Sequence, residues 1–139
     1  MVECVFCEIV RGRAEASVVF EDEHCIAFLS LDQPNSYKVL IASARHAEAI
    51  YDLYPDEAAA IMRAAIKLAI AIRDASSCEG LNLVQSNGSA GQQEVFHFHM
   101  HLLPRFEGDD IQLGWPERRV DRAELDRMAE EIRGKLLEH

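Results

Sequence analysis

The chain has 139 residues, of which 49% are hydrophobic, so it can bury one core, and we expect a single domain over residues 1–136. Acidic residues outnumber basic residues by 24 to 14, and the net charge of −10 argues against a nucleic acid polymer as partner. No apolar run reaches the roughly 18 residues of a membrane helix, and no signal segment follows Met1, so we expect no membrane partner and a cytoplasmic location.

The predicted secondary structure alternates between strands and helices along the chain. Strand-like runs cover 17–29 (a hairpin around the acidic turn at 21–23), 37–43, 81–85 and 94–104, and helical patterns cover 56–75 and 121–137. These elements predict an α+β domain with a mostly antiparallel five-stranded sheet, a long central helix and a C-terminal helix. Residues 137–139 resemble the remnant of a cloning tag and are left out of the domain.

Four cysteines are distributed unevenly, which does not suggest a disulfide framework. Cys25 and Cys78 are isolated, and we interpret them as small buried hydrophobic residues. Cys4 and Cys7 form a Cys-x-x-Cys pair in "CVFC", which is typical of a redox couple or of half a metal site. A redox pair belongs at the start of a helix that follows a strand, and this pair lies close to Met1, so the metal interpretation is favoured.

The stretch "VFHFHMHLL" (95–103) alternates histidines with large apolar residues. Successive side chains of a strand point to opposite faces, so His97, His99 and His101 are predicted to share one face. Phe96, Phe98, Met100 and Leu102 are then predicted to face the core. Three interpretations of the histidines remain open: an incidental polar face on an edge strand, a catalytic metal site, or nucleophilic attack on phosphorus aided by donors from the preceding loop "SNGSAGQQ".

The segment "NGSAGQQEVFHFHMHLLPR" resembles the catalytic segment of the histidine triad (HIT) family of nucleotide hydrolases and transferases, and "HFHMHLL" matches that family's His-φ-His-φ-His-φ-φ signature. The elements "CVFCEI", "FEDEHCIAFL" and "VLIASARH" also follow in the family's order. The resemblance extends over residues 3–106. It implies a HIT-like fold and chemistry at the α-phosphorus of a nucleotide.

The resemblance assigns a role to each histidine of the triad. His99 is the implied nucleophile, which forms a nucleotidyl-histidine intermediate that water then hydrolyses. His101 is implied to contact the phosphate or the leaving group, His97 to orient His99, and Gln93 to hydrogen-bond the bridging or leaving oxygen.

The nucleotide-binding positions follow from the same resemblance. Ser86 and Asn87 are implied to flank the α-phosphate. Four apolar residues match base-pocket positions of the family and are equally plausible as core: Phe6, Ile9, Phe28 and Leu31. Ser30 stands where the family carries an Asp that binds the ribose, and Asp32 follows two residues later, so either one is a candidate for that role.

Two further segments depart from the family pattern. Ser36, Tyr37 and Lys38 replace a typical Pro-Gly-His before the third strand. Gln92 replaces the second glycine that the family carries in the loop "SNGSAGQQ", and a side chain restricts φ at that position.

The resemblance also implies a structural zinc ion and a homodimer. In many bacterial members a cysteine pair joins the histidine at the end of the third strand and the first triad histidine, which here gives Cys4, Cys7, His46 and His97 as ligands. The dimer is implied to form through the central helix and one sheet edge.

The favoured function is therefore hydrolysis of a purine nucleotide phosphoramidate or dinucleoside polyphosphate. The alternatives are a nucleotide-binding regulatory protein of low activity and a metal-dependent hydrolase. "HLLPR" resembles the polyphosphate-cleaving branch and "GQQEVFH" the phosphoramidase branch, so the leaving group stays open.

Overall fold

The structure, a computed structural model, describes residues 4–139 and forms an α+β fold around one five-stranded antiparallel sheet. The strands are β1 (Val18–Glu21), β2 (Cys25–Leu29), β3 (Val39–Ser43), β4 (Gly80–Gln85) and β5 (His99–Arg105), in the spatial order β1-β2-β3-β5-β4. The helices are α1 (Val5–Val10), α2 (Pro55–Ser76) and α3 (Arg122–Leu136). The predicted fold class, the long central helix and the C-terminal helix are confirmed.

Helix α2 covers one face of the sheet. Its buried apolar residues recur at helical spacing: Ala60, Ile61, Ala64, Ala65, Leu68 and Ile72. They pack against the sheet residues Ala27, Ile41, Met100 and Leu102. Pro55 opens the helix, and the left-handed Ser77 (φ 58°) ends it. All five residues of β3 are buried, because both of its faces are covered.

Helix α1 covers only part of the opposite face. Phe6 and Ile9 pack there against residues of β2 and β3: Ile26, Phe28, Leu40 and Ala42. With only 6 residues, α1 leaves the β5 end of this face open. That opening contains the candidate site.

Strand β5 begins later than the sequence predicts. The chain at 94–98 is irregular, because the amide of Phe98 donates to the carbonyl of Ala47 (2.6 Å) and its carbonyl accepts from the amide of Ser43 (3.1 Å). The prediction that Phe96 faces the core is wrong: the side chain is 43% exposed, since it lies outside the regular alternation of the strand. Phe98, Met100 and Leu102 are buried as predicted.

Helix α3 has no buried residue. Its apolar residues are all exposed to some degree, among them Leu125, Met128, Ile132 and Leu136. Within residues 4–139, no helix is both long enough and apolar enough to cross a lipid bilayer.

Tyr37 adopts a left-handed backbone conformation, with φ of 76°, at the position that the resemblance aligns with a typical glycine. A left-handed φ costs an L-residue about 1–2 kcal/mol. The side chain is 47% exposed, so it contributes little packing in return.

We therefore expect the free energy of unfolding of Tyr37→Gly, measured by urea titration, to exceed that of Tyr37→Ala by about 1 kcal/mol. Both variants lose the aromatic ring, and only glycine relieves the backbone. Equal stability of the two variants would contradict the assigned conformation.

Candidate functional site

Two cysteines and two histidines meet between α1, the end of β3 and the segment before β5. The nearest ligand atoms of Cys4, Cys7, His46 and His97 all lie within 4.8 Å of one another. The Nδ1 atom of His97 is 3.2 Å from Sγ of Cys4, 3.5 Å from Sγ of Cys7 and 3.2 Å from Nδ1 of His46. The four residues named from the resemblance are thus brought together.

The ring of His97 has a defined orientation and tautomer. Its Nε2–H donates to the carbonyl of Ser43 at 2.6 Å, so Nδ1 keeps a lone pair that points toward the two sulfurs. The residue is fully buried, and this burial lowers the pKa of the imidazole and favours its neutral form. Two thiols and two imidazoles are the donor set of a closed tetrahedral zinc site. The carbonyl of Ser43 orients one of the two imidazoles, that of His97.

Cys4 is the N-cap of α1, a helix that the sequence analysis did not predict, and no strand precedes this helix among the described residues. The thiol of Cys7 does not resemble that of a reactive redox cysteine. Burial and the neighbouring Cys4 raise the pKa of the Cys7 thiol, whereas a reactive redox cysteine needs a lowered pKa. The environment therefore favours the metal interpretation of the pair. Cys25 is fully buried as predicted and Cys78 only half-buried.

His99 lies on the same side of the sheet and is anchored by the backbone. Its Nδ1–H donates to the carbonyl of His97 at 2.7 Å, which leaves the lone pair on Nε2. The ring is 8% exposed and meets Phe6 edge to face at 5.0 Å. Burial lowers the pKa of His99, so the imidazole is neutral and nucleophilic at neutral pH.

A cavity of about 700 Å³ opens in front of His99 and His101. The predicted site residues that line it are Phe6, Ser30, Ser86, Gln93, His99 and His101. Both candidates for the ribose, Ser30 and Asp32, are among the lining residues. The cavity therefore joins two histidines of the triad, His99 and His101, to the loop at 86–93.

The HIT domain family matches residues 11–108, which is more than half of the chain. The chain belongs to the HIT family. The adenosine 5'-monophosphoramidase of Saccharomyces cerevisiae is 30% identical over 96% of this chain and 82% of its own length. A HIT family protein of Bacillus anthracis is 35% identical and superposes with a TM-score of 0.90, over 95% of this chain and 96% of that structure. A zinc-bound HIT protein of Mycobacterium smegmatis is 30% identical with a TM-score of 0.74, over 96% and 94% of the two chains.

Four residues predicted for nucleotide binding lie away from the cavity of this HIT protein. Ile9 and Phe28 belong to the core beneath α1, as the alternative interpretation allowed. Leu31 is fully exposed, so it is not a core residue, and it does not line the cavity. Oδ1 of Asn87 accepts from the amides of Ile50 and of the Gln85 side chain, and Asn87 does not line the cavity either.

Gln93 is buried, and backbone groups occupy its amide. Its Oε1 accepts from the amide of Gly88 at 2.8 Å, and its Nε2 donates to the carbonyls of Glu48 (2.6 Å) and Val95 (3.1 Å). The side chain therefore connects the two ends of the loop at 88–95 and ties this loop to Glu48. This arrangement differs from the predicted contact with a leaving oxygen, because Nε2 has no remaining proton to donate.

Gln92, which replaces a glycine of the family pattern, lines the cavity. Its φ of 68° is left-handed, so the loop retains the backbone conformation that a glycine would adopt there. Ser89 and Glu94 of the same loop also line the cavity. The sequence analysis did not assign these residues or Lys38. The alternation of β3 could have indicated Lys38, which is two residues before the cavity residue Leu40.

We expect Gln93→Ala to lower the free energy of unfolding by about 1–3 kcal/mol, because buried backbone groups lose their partners. Gln112→Ala, which changes an exposed glutamine, is the matched control and should be neutral. Urea titration of both variants gives the comparison. A stable Gln93→Ala protein with impaired turnover would instead support the predicted contact with substrate.

Proposed function

We propose that this HIT protein hydrolyses a nucleotide at its α-phosphorus through a covalent intermediate on His99. The observation that carries the proposal is the hydrogen bond from Nδ1 of His99 to the carbonyl of His97, which leaves the Nε2 lone pair for a substrate in the cavity. Imidazole is a good nucleophile toward phosphorus when neutral, and burial lowers the pKa of His99.

The reaction proceeds in two displacements. Nε2 of His99 forms a bond to the α-phosphorus while the bond from phosphorus to the leaving group breaks and the electron pair departs with that group. A water molecule then attacks the same phosphorus, the P–N bond breaks, and the nucleoside monophosphate leaves. The hydroxyls of Ser86 and Ser89 line the cavity and serve as donors to the non-bridging oxygens.

Ser30 and Asp32 are the proposed ribose contacts. Both line the cavity, and Oγ of Ser30 accepts from the amide of Asp32 at 3.2 Å, which ties the two residues together. The phosphoramidase activity of the yeast relative supports a nucleotide substrate. A regulatory protein that binds nucleotide with low turnover is the alternative, and turnover against a panel of nucleotide substrates separates the two.

We also propose that Cys4, Cys7, His46 and His97 hold a structural zinc ion. The ion would supply a closed four-ligand anchor, without an open position for water, which disfavours the metal-dependent hydrolase. The zinc-bound relative from Mycobacterium smegmatis supports this assignment. His97 as a ligand fixes the carbonyl that orients His99, so its role is that of a positioning residue.

A homodimer and a cytoplasmic location complete the proposal. Met62, Ile66 and Ile70 are exposed on the outer face of α2, which suits pairing of two α2 helices. All four cysteines are free thiols, as is usual in a reducing compartment. The solution mass tests the dimer, and a monomer would contradict it.

We expect His99→Ala to lower kcat by about a thousandfold or more, because the nucleophile is lost, and to bind a nucleoside monophosphate nearly as well as the parent. His24→Ala, which removes a half-buried histidine outside the cavity, is the control. Acid quench of the parent enzyme with radiolabelled nucleotide should trap an acid-labile, base-stable adduct that is missing in His99→Ala. Inversion at the α-phosphorus would contradict a route through two displacements.

We expect purified protein to contain about one zinc per chain, and Cys4→Ser to lose both the metal and thermal stability, since structural zinc binds with a free energy on the order of 10 kcal/mol. Cys78→Ser removes a cysteine outside the cluster and should retain the metal. Elemental analysis and thermal melts give both readouts. Metal-free protein that melts at the same temperature as the parent would contradict the zinc site.

A further inference from the structure

Lys38 lies at the entrance of β3 with its side chain on the cavity side of the sheet. Leu40 pairs with His101 across the β3–β5 ladder, and Lys38 precedes Leu40 by two residues, so the two point to the same face. Lys38, Leu40, His101 and Leu103 all line the cavity. The ammonium group is thus presented to the same space as the triad.

The backbone of Lys38 is held by a compact set of hydrogen bonds. The side chain of Gln33 accepts from the amide of Lys38 at 3.0 Å and donates to its carbonyl at 2.8 Å. The amide of Ser30 donates to the same carbonyl at 3.0 Å. A lysine on a fixed backbone loses less conformational freedom on binding a ligand than one on a mobile loop.

The charge of Lys38 has no protein counter-ion in the described part of the chain. Asp32 and Glu94 also line the cavity, yet neither forms a salt bridge with Lys38. Lys38 is the one cationic side chain among the described residues that line the cavity. An unpaired ammonium beside a nucleophile is suited to bind an anion.

We propose that Lys38 is a specificity-determining residue that binds an anionic leaving group, so that the site prefers nucleotide phosphoanhydrides to nucleotide phosphoramidates. This inference rests on the proposed attack by His99. It assigns a function to a position at which the family typically carries histidine, and histidine does not hold a permanent charge at neutral pH.

The two substrate classes make different demands on the site. When Nε2 of His99 displaces a phosphate or polyphosphate, the P–O bond breaks and the oxygen leaves with the electron pair as an anion, which needs a counter-charge and no proton. When it displaces an amine, the P–N bond breaks and the nitrogen must gain a proton from an acid. Lys38 supplies the counter-charge in the first case.

The neighbouring imidazole is poorly suited to the second case. Burial and, to a lesser extent, the nearby Lys38 together lower the pKa of His101 to about 4. His101 is then neutral at neutral pH and carries no readily available proton for a departing amine. It can still hydrogen-bond an anionic oxygen through its N–H.

The test compares kcat/KM for a dinucleoside polyphosphate and a phosphoramidate of the same nucleoside. We expect Lys38→Gln to lower kcat/KM for the polyphosphate by about 10- to 100-fold, the usual range for a hydrogen bond to a charged group, and for the phosphoramidate by less than about threefold. Lys38→Arg should restore the preference. Lys135→Gln, on the exposed helix α3, controls for the loss of one positive charge. Equal losses for both substrates, or no loss, would overturn the proposal.

A binding measurement separates this inference from the proposed function. In the His99→Ala background, calorimetry with a nucleoside monophosphate and the corresponding diphosphate needs no turnover. We expect the added Lys38→Gln substitution to weaken the diphosphate about tenfold more than the monophosphate. Selective weakening supports the role of Lys38 even if the parent enzyme turns over neither substrate. Equal weakening of the two ligands overturns that role and leaves the nucleophile unaffected.

Discussion

The candidate site depends on His97, because this one buried residue connects the cluster of Cys4, Cys7 and His46, the sheet, and the proposed nucleophile His99. A neutral imidazole has one N–H, and His97 gives it to the carbonyl of Ser43, so Nδ1 must face the cysteines. Its backbone carbonyl in turn accepts from His99 and determines which nitrogen of that ring keeps a lone pair. The tautomers of two histidines are thus set by a single residue that does not line the cavity.

The cavity exists because the two faces of the sheet are covered unequally. Helix α2 contributes 22 residues to one face, whereas α1 contributes 6 to the other. Covering both faces with long helices would bury more apolar area and would leave no room beside β5. The uncovered part therefore contains polar side chains beside apolar ones, and burial lowers the pKa of His99 and of His101 there.

Local patterns predicted most of the fold, and contacts between distant segments account for what they missed. Helical spacing placed α2 within one residue of its observed ends at Pro55 and Ser76, because its core face is continuous. Strand β5 was predicted to begin at 94, and its actual start at His99 results from hydrogen bonds between Phe98 and the chain near Ala47. The alternation of apolar and polar residues along the sequence could not reveal that contact. The cluster of Cys4, Cys7, His46 and His97 was predicted only through the family resemblance, since His46 and His97 are far apart in sequence.

The charge distribution also reconciles an acidic chain with a phosphorylated ligand. The net charge of −10 acts over the whole surface and disfavours a polyanion that must cover much of it. A nucleotide bound as proposed would contact only the cavity, which is lined by Asp32 and Glu94 and also by imidazoles, serine hydroxyls and Lys38 as donors. Because these donors are fixed and partly shielded from solvent, their attraction for phosphate is local and less weakened by salt than a surface charge pattern is. Under the proposed function, selection among nucleotides depends on a few atoms around His99, whereas the overall charge acts against large polyanions.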